Sequence, residues 1–202
     1  MQLVIDSATA SCSAALVGPG GELVDELHEV VGRGHAERLV PMIAELLGGR
    51  APATILVDCG PGSFTGVRVG LSAAHGLAIG WGVPVFGYSS LALLAAASGA
   101  TEVAAVMEAG HGELFVQAYA GDPLAPLGPE QSLRPAAAAE TLGAELVVGS
   151  GAAALVAIRG YGRALNALPR AADARLLPPA LRRLSARPIY GRAPDAKPMI
   201  EP

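Results

Sequence analysis

The run Thr54-Ile-Leu-Val-Asp-Cys-Gly-Pro-Gly-Ser-Phe-Thr-Gly-Val-Arg-Val-Gly-Leu71 constrains the fold more than any other part of the chain. Ile55 to Val57 reads as a buried strand, Gly60-Pro61-Gly62 as a tight turn, and a helix begins near Ser63 or Thr65. Glycine reaches positive φ without steric cost, and a hydroxyl at the helix start accepts otherwise orphaned amide hydrogens. A strand, a reversal and a helix within so few residues demand a layered α/β architecture. The run is not a phosphate-binding Walker loop, because no Gly-Lys-Ser/Thr follows, and it lacks the GxGxxG spacing of dinucleotide folds. Ser63 is also not placed as a nucleophile elbow, since Phe64 follows it directly and the second glycine is out of register.

The rest of the chain supplies matching layers. Leu3 to Ser7, Ser11 to Val17 and Glu22 to Val30 read as three strands, the last two joined by Gly18-Pro-Gly-Gly21, so an antiparallel meander opens the sheet. Leu39, Met42, Ile43, Leu46 and Leu47 form the apolar stripe of a helix that Gly48-Gly49 ends. Pro41 then belongs in its first turn. The helix after the Gly-Pro-Gly turn runs to about Gly80 with a small-residue face of Gly66, Gly70, Ala73, Ala74 and Gly76. Val83 to Phe86 is a short strand, and Ser89 caps a helix from Ser90 to Ala97. A second cycle starts with strands at Val103 to Glu108 and Leu114 to Tyr119, passes a proline-rich loop at Pro123 to Pro129, and continues with a helix at Pro135 to Leu142 and a strand at Leu146 to Gly149. Gly151 to Leu184 reads as mostly helical, and Arg187 to Lys197 as an extended tail. The division expected is one lobe over 1–99 and a second over 100–202.

Composition excludes several classes. A net charge of -4 gives no footprint for gripping a phosphate backbone unaided, and the arginines between Arg159 and Arg192 read as a solvated surface. Cys12 and Cys59 stand at strand edges outside any CxxC context, as reduced core residues do. No apolar run is long enough to span a bilayer, and Asp6 interrupts the N-terminal run at once, so no leader, no membrane and a cytoplasmic location are expected.

Four ordered blocks carry a resemblance. Gly60-Pro-Gly-Ser-Phe-Thr-Gly-Val-Arg-Val-Gly70 resembles the signature of the TsaB (YeaZ) family. So do Leu3-Val-Ile-Asp-Ser-Ala-Thr-Ala-Ser-Cys-Ser-Ala-Ala-Leu16, Gly34-His-Ala-Glu-Arg-Leu-Val-Pro-Met-Ile43 and Pro188-Ile-Tyr-Gly-Arg-Ala193. The similarity is close over the first half and weak between Tyr119 and the tail. It implies an actin-like (ASKHA) fold of two ribonuclease H-like lobes with mixed sheets. The function it implies is that of a non-catalytic scaffold in the machinery that installs threonylcarbamoyl on the tRNA adenosine next to the anticodon. The implied partners are a TsaD-like transferase, a TsaE-like ATPase and a second copy of the chain, with tRNA met only through the complex.

Within that frame the implied residues divide by role. Gly60, Pro61, Gly62, Ser63, Phe64, Thr65, Gly66 and Arg68 form the signature loop. The helical face implied as homodimer or TsaD interface carries His35, Leu39, Met42, Ile43, Leu46, Gly66, Gly70, Ala73 and Ala74. Asp6 stands where actin-like phosphotransferases keep a strand-end carboxylate, and Glu108 stands at the matching place in the second half, so the two mark a vestigial nucleotide cleft. The turn after Asp6 lacks the glycine that close phosphate approach needs. No metal site is expected, because Leu39 replaces the second histidine of the TsaD family's His-x-x-x-His pair and metal binding needs convergent ligands. No cofactor is expected on this chain, and ATP with magnesium only in the assembled complex. No serine, threonine or cysteine has a base in a recognisable partner motif. The competing reading is an actin-like ATPase or small-molecule kinase working through Asp6 and Glu108.

Overall fold

The computed structural model describes residues 1–32 and 34–191. Arg33 and the expected tail beyond Gly191, including the Arg192-Ala193 end of the fourth block, lie outside the described residues.

The opening meander forms as its alternation requires. Strands β1 (Gln2–Asp6), β2 (Ser11–Val17) and β3 (Leu23–Val30) pair antiparallel. Helix α1 (His35–Leu47) follows, then β4 (Thr54–Asp58), α2 (Phe64–Trp81) and β5 (Val85–Tyr88). Strands β4 and β5 add in parallel to β1, giving the order β3-β2-β1-β4-β5. Gly48 stops α1 at φ 54° and Gly82 stops α2 at φ 66°. Pro41 differs from expectation. The helix starts at His35, so Pro41 lies in its interior, and both Pro41 and Glu37, whose carbonyl loses its donor, are solvent-exposed.

A helix α3 (Ser90–Ala97) leads into the second sheet. There β6 (Glu102–Gly110) and β7 (Glu113–Ala120) pair antiparallel, β8 (Ala125–Pro126) and β9 (Gln131–Leu133) both pair with β7, and α4 (Pro135–Thr141) follows. Then β10 (Leu146–Val148), α5 (Ala152–Arg159) and β11 (Arg163–Leu165) complete the order β11-β10-β6-β7-β8. Residues expected as mostly helix between Gly151 and Leu184 instead hold α5, the short strand β11 and two 3₁₀ turns, Ala171–Leu176 and Pro179–Arg182. Gly160, Gly162, Pro169, Pro178 and Pro179 punctuate that segment too often for a continuous α-helix.

Strand parity builds three apolar layers. Leu3, Ile5, Ala14, Leu16, Ile55 and Val57 face α1 and α2. Val4, Ala15, Leu56 and Tyr88 face the other way, toward α3 and the Val103, Ala105 and Met107 side of β6. Ala104, Val106, Leu114 and Val116 lie under α4 and α5. The middle layer is common to both sheets.

The last described residues return to the first sheet as a strap. Gly87 and Leu184 exchange backbone hydrogen bonds of 2.8 and 3.0 Å, and the Ile189 amide donates to the Cys59 carbonyl at 2.8 Å. His75 Nε2 lies 3.0 Å from the Ala186 carbonyl oxygen. The strap thereby covers β5, which is otherwise the sheet's exposed edge.

Candidate functional site

The signature turn is built by contacts to the chain itself. Gly60 sits at φ 94°, and Ser63 caps α2 by accepting the Gly66 amide hydrogen at 3.3 Å. The β1–β2 turn then packs onto the glycine side of α2. The Ser63 amide donates to Ala8 O at 2.7 Å, and Ser7 Oγ donates to Gly66 O at 2.9 Å. A Cβ added at Gly62 would lie 2.2 Å from Ala8 O, one at Gly66 2.1 Å from Ser7 O, and one at Gly70 2.6 Å from Ser7 Oγ. The small-residue face admits a close backbone approach, and the approaching backbone is that of the same chain.

The residues expected at the interface are, in this chain, largely core. Leu39, Met42, Ile43 and Leu46 are buried against the first sheet, Gly66, Gly70 and Ala74 are buried under the β1–β2 turn and β-strands, and Ala73 is half-buried against the same core. His35 is buried as well, its Nε2 3.2 Å from the Ser11 carbonyl oxygen, so it ties the start of α1 to β2. An amphipathic stripe faces its own sheet before it faces a partner. The solvent side of the two helices carries Val40, 50% exposed, and Ile79, 84% exposed, beside exposed Ala44, Ser72 and Gly76.

The two cleft acids are not brought together. Glu108 is exposed on the wall of a cleft of about 370 Å³ between the lobes, opposite Thr9, Gly62 and Ser63, with Ser150 beside it. Asp6 is fully buried and does not line that cleft. Its partner is Asp58, unremarked in the sequence. Because Ile5 pairs with Val57 and Asp58 with Tyr88, the C-terminal ends of β1, β4 and β5 set Asp6, Asp58 and Tyr88 in one row. Tyr88 donates to Asp6 Oδ2 at 2.9 Å, while Gly60 N and Ser90 Oγ donate to Asp58 at 2.7 Å each. Asp6 Oδ1 is buried without a hydrogen-bond partner. Burial, reinforced by the charge of Asp6, holds Asp58 well above the ordinary carboxylate range. Burial also raises Asp6, against the pull of its hydrogen bonds to Asp58 and Tyr88. Two adjacent carboxyls in so dry a place retain a proton between them. Burial likewise pushes the Cys59 thiol up to about 12 and Cys12 to about 11, so both stay protonated and unreactive at neutral pH.

At the exposed corner of the signature, the Arg68 guanidinium lies 3.6 Å from the Phe64 ring centroid and donates to Tyr190 Oη at 2.9 Å. Only the strap brings Tyr190 to Phe64, a pairing that no local pattern signals. Among the described residues, no three His, Cys, Asp or Glu side chains converge as a metal site, and no helix is long and apolar enough to cross a membrane.

Two mixed sheets with a cleft between them define an actin-like, two-lobed ASKHA protein. Ethanolamine utilization protein EutJ from Carboxydothermus hydrogenoformans shares that fold at a TM-score of 0.50 and 12% identity, over 87% of this chain and 89% of that one. The family model described as TsaD, tRNA N6-adenosine threonylcarbamoyltransferase, matches residues 27–139. YeaZ from Pseudomonas aeruginosa superposes with a TM-score of 0.77 at 31% identity, over 94% of this chain and 98% of that one. The tRNA threonylcarbamoyladenosine biosynthesis protein TsaB of Escherichia coli is 39% identical over 131 residues, 59% of this chain and 55% of that protein. The chain belongs to the TsaB (YeaZ) family. It spans about half the length of the curated TsaB relatives it matches.

Proposed function

We propose that this chain is the non-catalytic scaffold subunit of the machinery that makes N6-threonylcarbamoyladenosine in tRNA, docking on a TsaD-type transferase and aiding recruitment of a TsaE-type ATPase. The observation that carries this reading is the fate of Asp6. The strand-end acid that an actin-like enzyme would aim into its cleft is sealed behind Tyr88 and Asp58 here, and the cleft wall keeps Glu108 without it. What the fold offers outward instead is the solvent face of α1 and α2, where Ile79 and Val40 stand exposed among small residues. Small residues beside apolar anchors suit a close helix-on-helix contact, with the transferase or with a second copy.

The test is reconstitution. Purified chain added to a TsaD-type transferase, threonylcarbamoyl-AMP and tRNA is expected to raise modification above that of the transferase alone. Ile79→Asp, an exposed position that leaves the core intact, is expected to weaken docking by about 2 kcal/mol or roughly thirtyfold, the scale of a buried anchor. No stimulation by the wild-type chain, or full stimulation by both Ile79→Asp and Val40→Asp, overturns the reading.

A further inference from the structure

We infer that the Phe64–Arg68–Tyr190 corner and the strap leading to it form a binding strip for single-stranded RNA, with an unstacked base on the aromatic platform and phosphates along the strap arginines. This rests on the functional reading above, and it names a direct contact with the RNA where the family resemblance implies one only through the complex.

Charge segregation is the first observation. The chain is net acidic, yet no Asp or Glu occurs between Asp58 and Glu102, which includes all of α2, or between Asp173 and Asp195, which includes the strap. These two stretches are the ones that meet at Tyr190. Arg182, Arg183 and Arg187 stand together on the strap and, among the described residues, their guanidinium groups enter no ion pair or hydrogen bond, as is also true of Arg134 and Arg163 elsewhere, whereas Arg38 and Arg170 are paired with glutamates. Unneutralised arginines on a net-negative protein mark a place for a polyanion.

The platform is the second. Phe64 is 60% exposed and Tyr190 57% exposed, in a chain with only three Phe, four Tyr and one Trp. Their centroids are 6.2 Å apart, and Arg68 fixes both rings, standing against one and hydrogen-bonded to the other. Two solvent-facing rings and a guanidinium plane, held in place before any ligand arrives, suit the π-face of a nucleobase. Base faces are free only in unpaired nucleotides, so a loop fits and a duplex does not. An acidic protein surface would satisfy the arginines but would leave the ordered rings without a role.

The probe is a fluorescein-labelled RNA stem-loop, compared with the same strand annealed to its complement and with polyglutamate as competitor, on the full chain at several salt concentrations. Binding to the loop is expected to exceed binding to the duplex by about tenfold, and Phe64→Ala to remove that advantage, as the loss of one base–aromatic stack of about 1–3 kcal/mol requires. Arg183→Gln with Arg187→Gln is expected to lower the slope of log K against log salt by about 1.4, at roughly 0.7 per single-strand phosphate. Tyr190→Phe keeps the ring and is expected to keep loop preference. Equal affinity for loop and duplex, indifference to Phe64→Ala, or binding that polyglutamate displaces as readily as RNA overturns the inference. Transferase docking by the same variants separates the two readings: a chain that docks but ignores RNA removes this strip alone, and one that binds the loop but does not dock removes the scaffold role alone.

Discussion

Gly66→Ala is expected to destabilise the chain, while Gly76→Ala in the same helix stabilises it. Alanine is favoured over glycine in a helix interior by about 0.8–1 kcal/mol, so propensity alone gives both changes the same sign. The surroundings decide otherwise. A Cβ at Gly66 falls 2.1 Å from Ser7 O and 3.4 Å from Ser63 Cβ, and the first of these is backbone of the residue whose side-chain hydroxyl donates to Gly66 O. The β1–β2 turn has to lift off α2, an overpacking of about 1–3 kcal/mol or more. At Gly76 nothing lies within 4 Å. For a chain of this size about 1 kcal/mol moves the melting temperature by about 2–4 °C, so the two variants are expected to melt on opposite sides of the wild type in a thermal scan. A rise for both would show that the turn yields without cost, and the packing described for the signature would be wrong.

The second large effect is on pH dependence. The Asp58 proton is held more tightly in the folded chain than in the unfolded one, so it adds stability below the ordinary carboxylate value near 3.8. That contribution declines as pH climbs through the raised folded-state value. Each unit of elevation corresponds to about 1.4 kcal/mol. Asp58→Asn keeps an oxygen for Gly60 N and Ser90 Oγ and offers Asp6 an amide hydrogen that does not titrate. The variant is expected to lose part of the fall in melting temperature as pH climbs from the ordinary carboxylate value through the raised folded-state one, and beyond that value to equal or exceed the wild type. Parallel curves for the two proteins would show that no proton is held there. Asp58→Ala is expected to behave differently, destabilising at every pH because it strands two buried donors.

The sequence was most informative where structure is local. The Gly60-Pro-Gly-Ser turn, the cap at Ser63 and the ends of α1 and α2 are decided by a few adjacent residues, and each lies where those residues require. The stripe of Leu39, Met42, Ile43 and Leu46 was equally plain as a pattern, but periodicity says only that one face is dry. Whether a sheet or a partner dries it depends on the rest of the fold. Position alone pairs Asp6 with Glu108, because both stand at strand ends. Only the parallel register of β1 with β4 sets Asp58 beside it, and the two runs Leu3-Val-Ile-Asp6 and Ile55-Leu-Val-Asp58, alike in ending on an acid, were the clue available. The strap was the least legible part. Leu184 meets Gly87, and Tyr190 meets Arg68, across about half the chain or more, and short proline-broken segments carry no periodicity to announce such pairings.

That strap also bears on the order of events during synthesis. The outermost parallel strand of the first sheet is finished at Tyr88, but its neighbour, Leu184, leaves the ribosome only after the whole second sheet has been made. Throughout that interval the nascent first lobe carries an unguarded β-edge. The opening half of the chain therefore waits on almost the last of its described residues to be sealed.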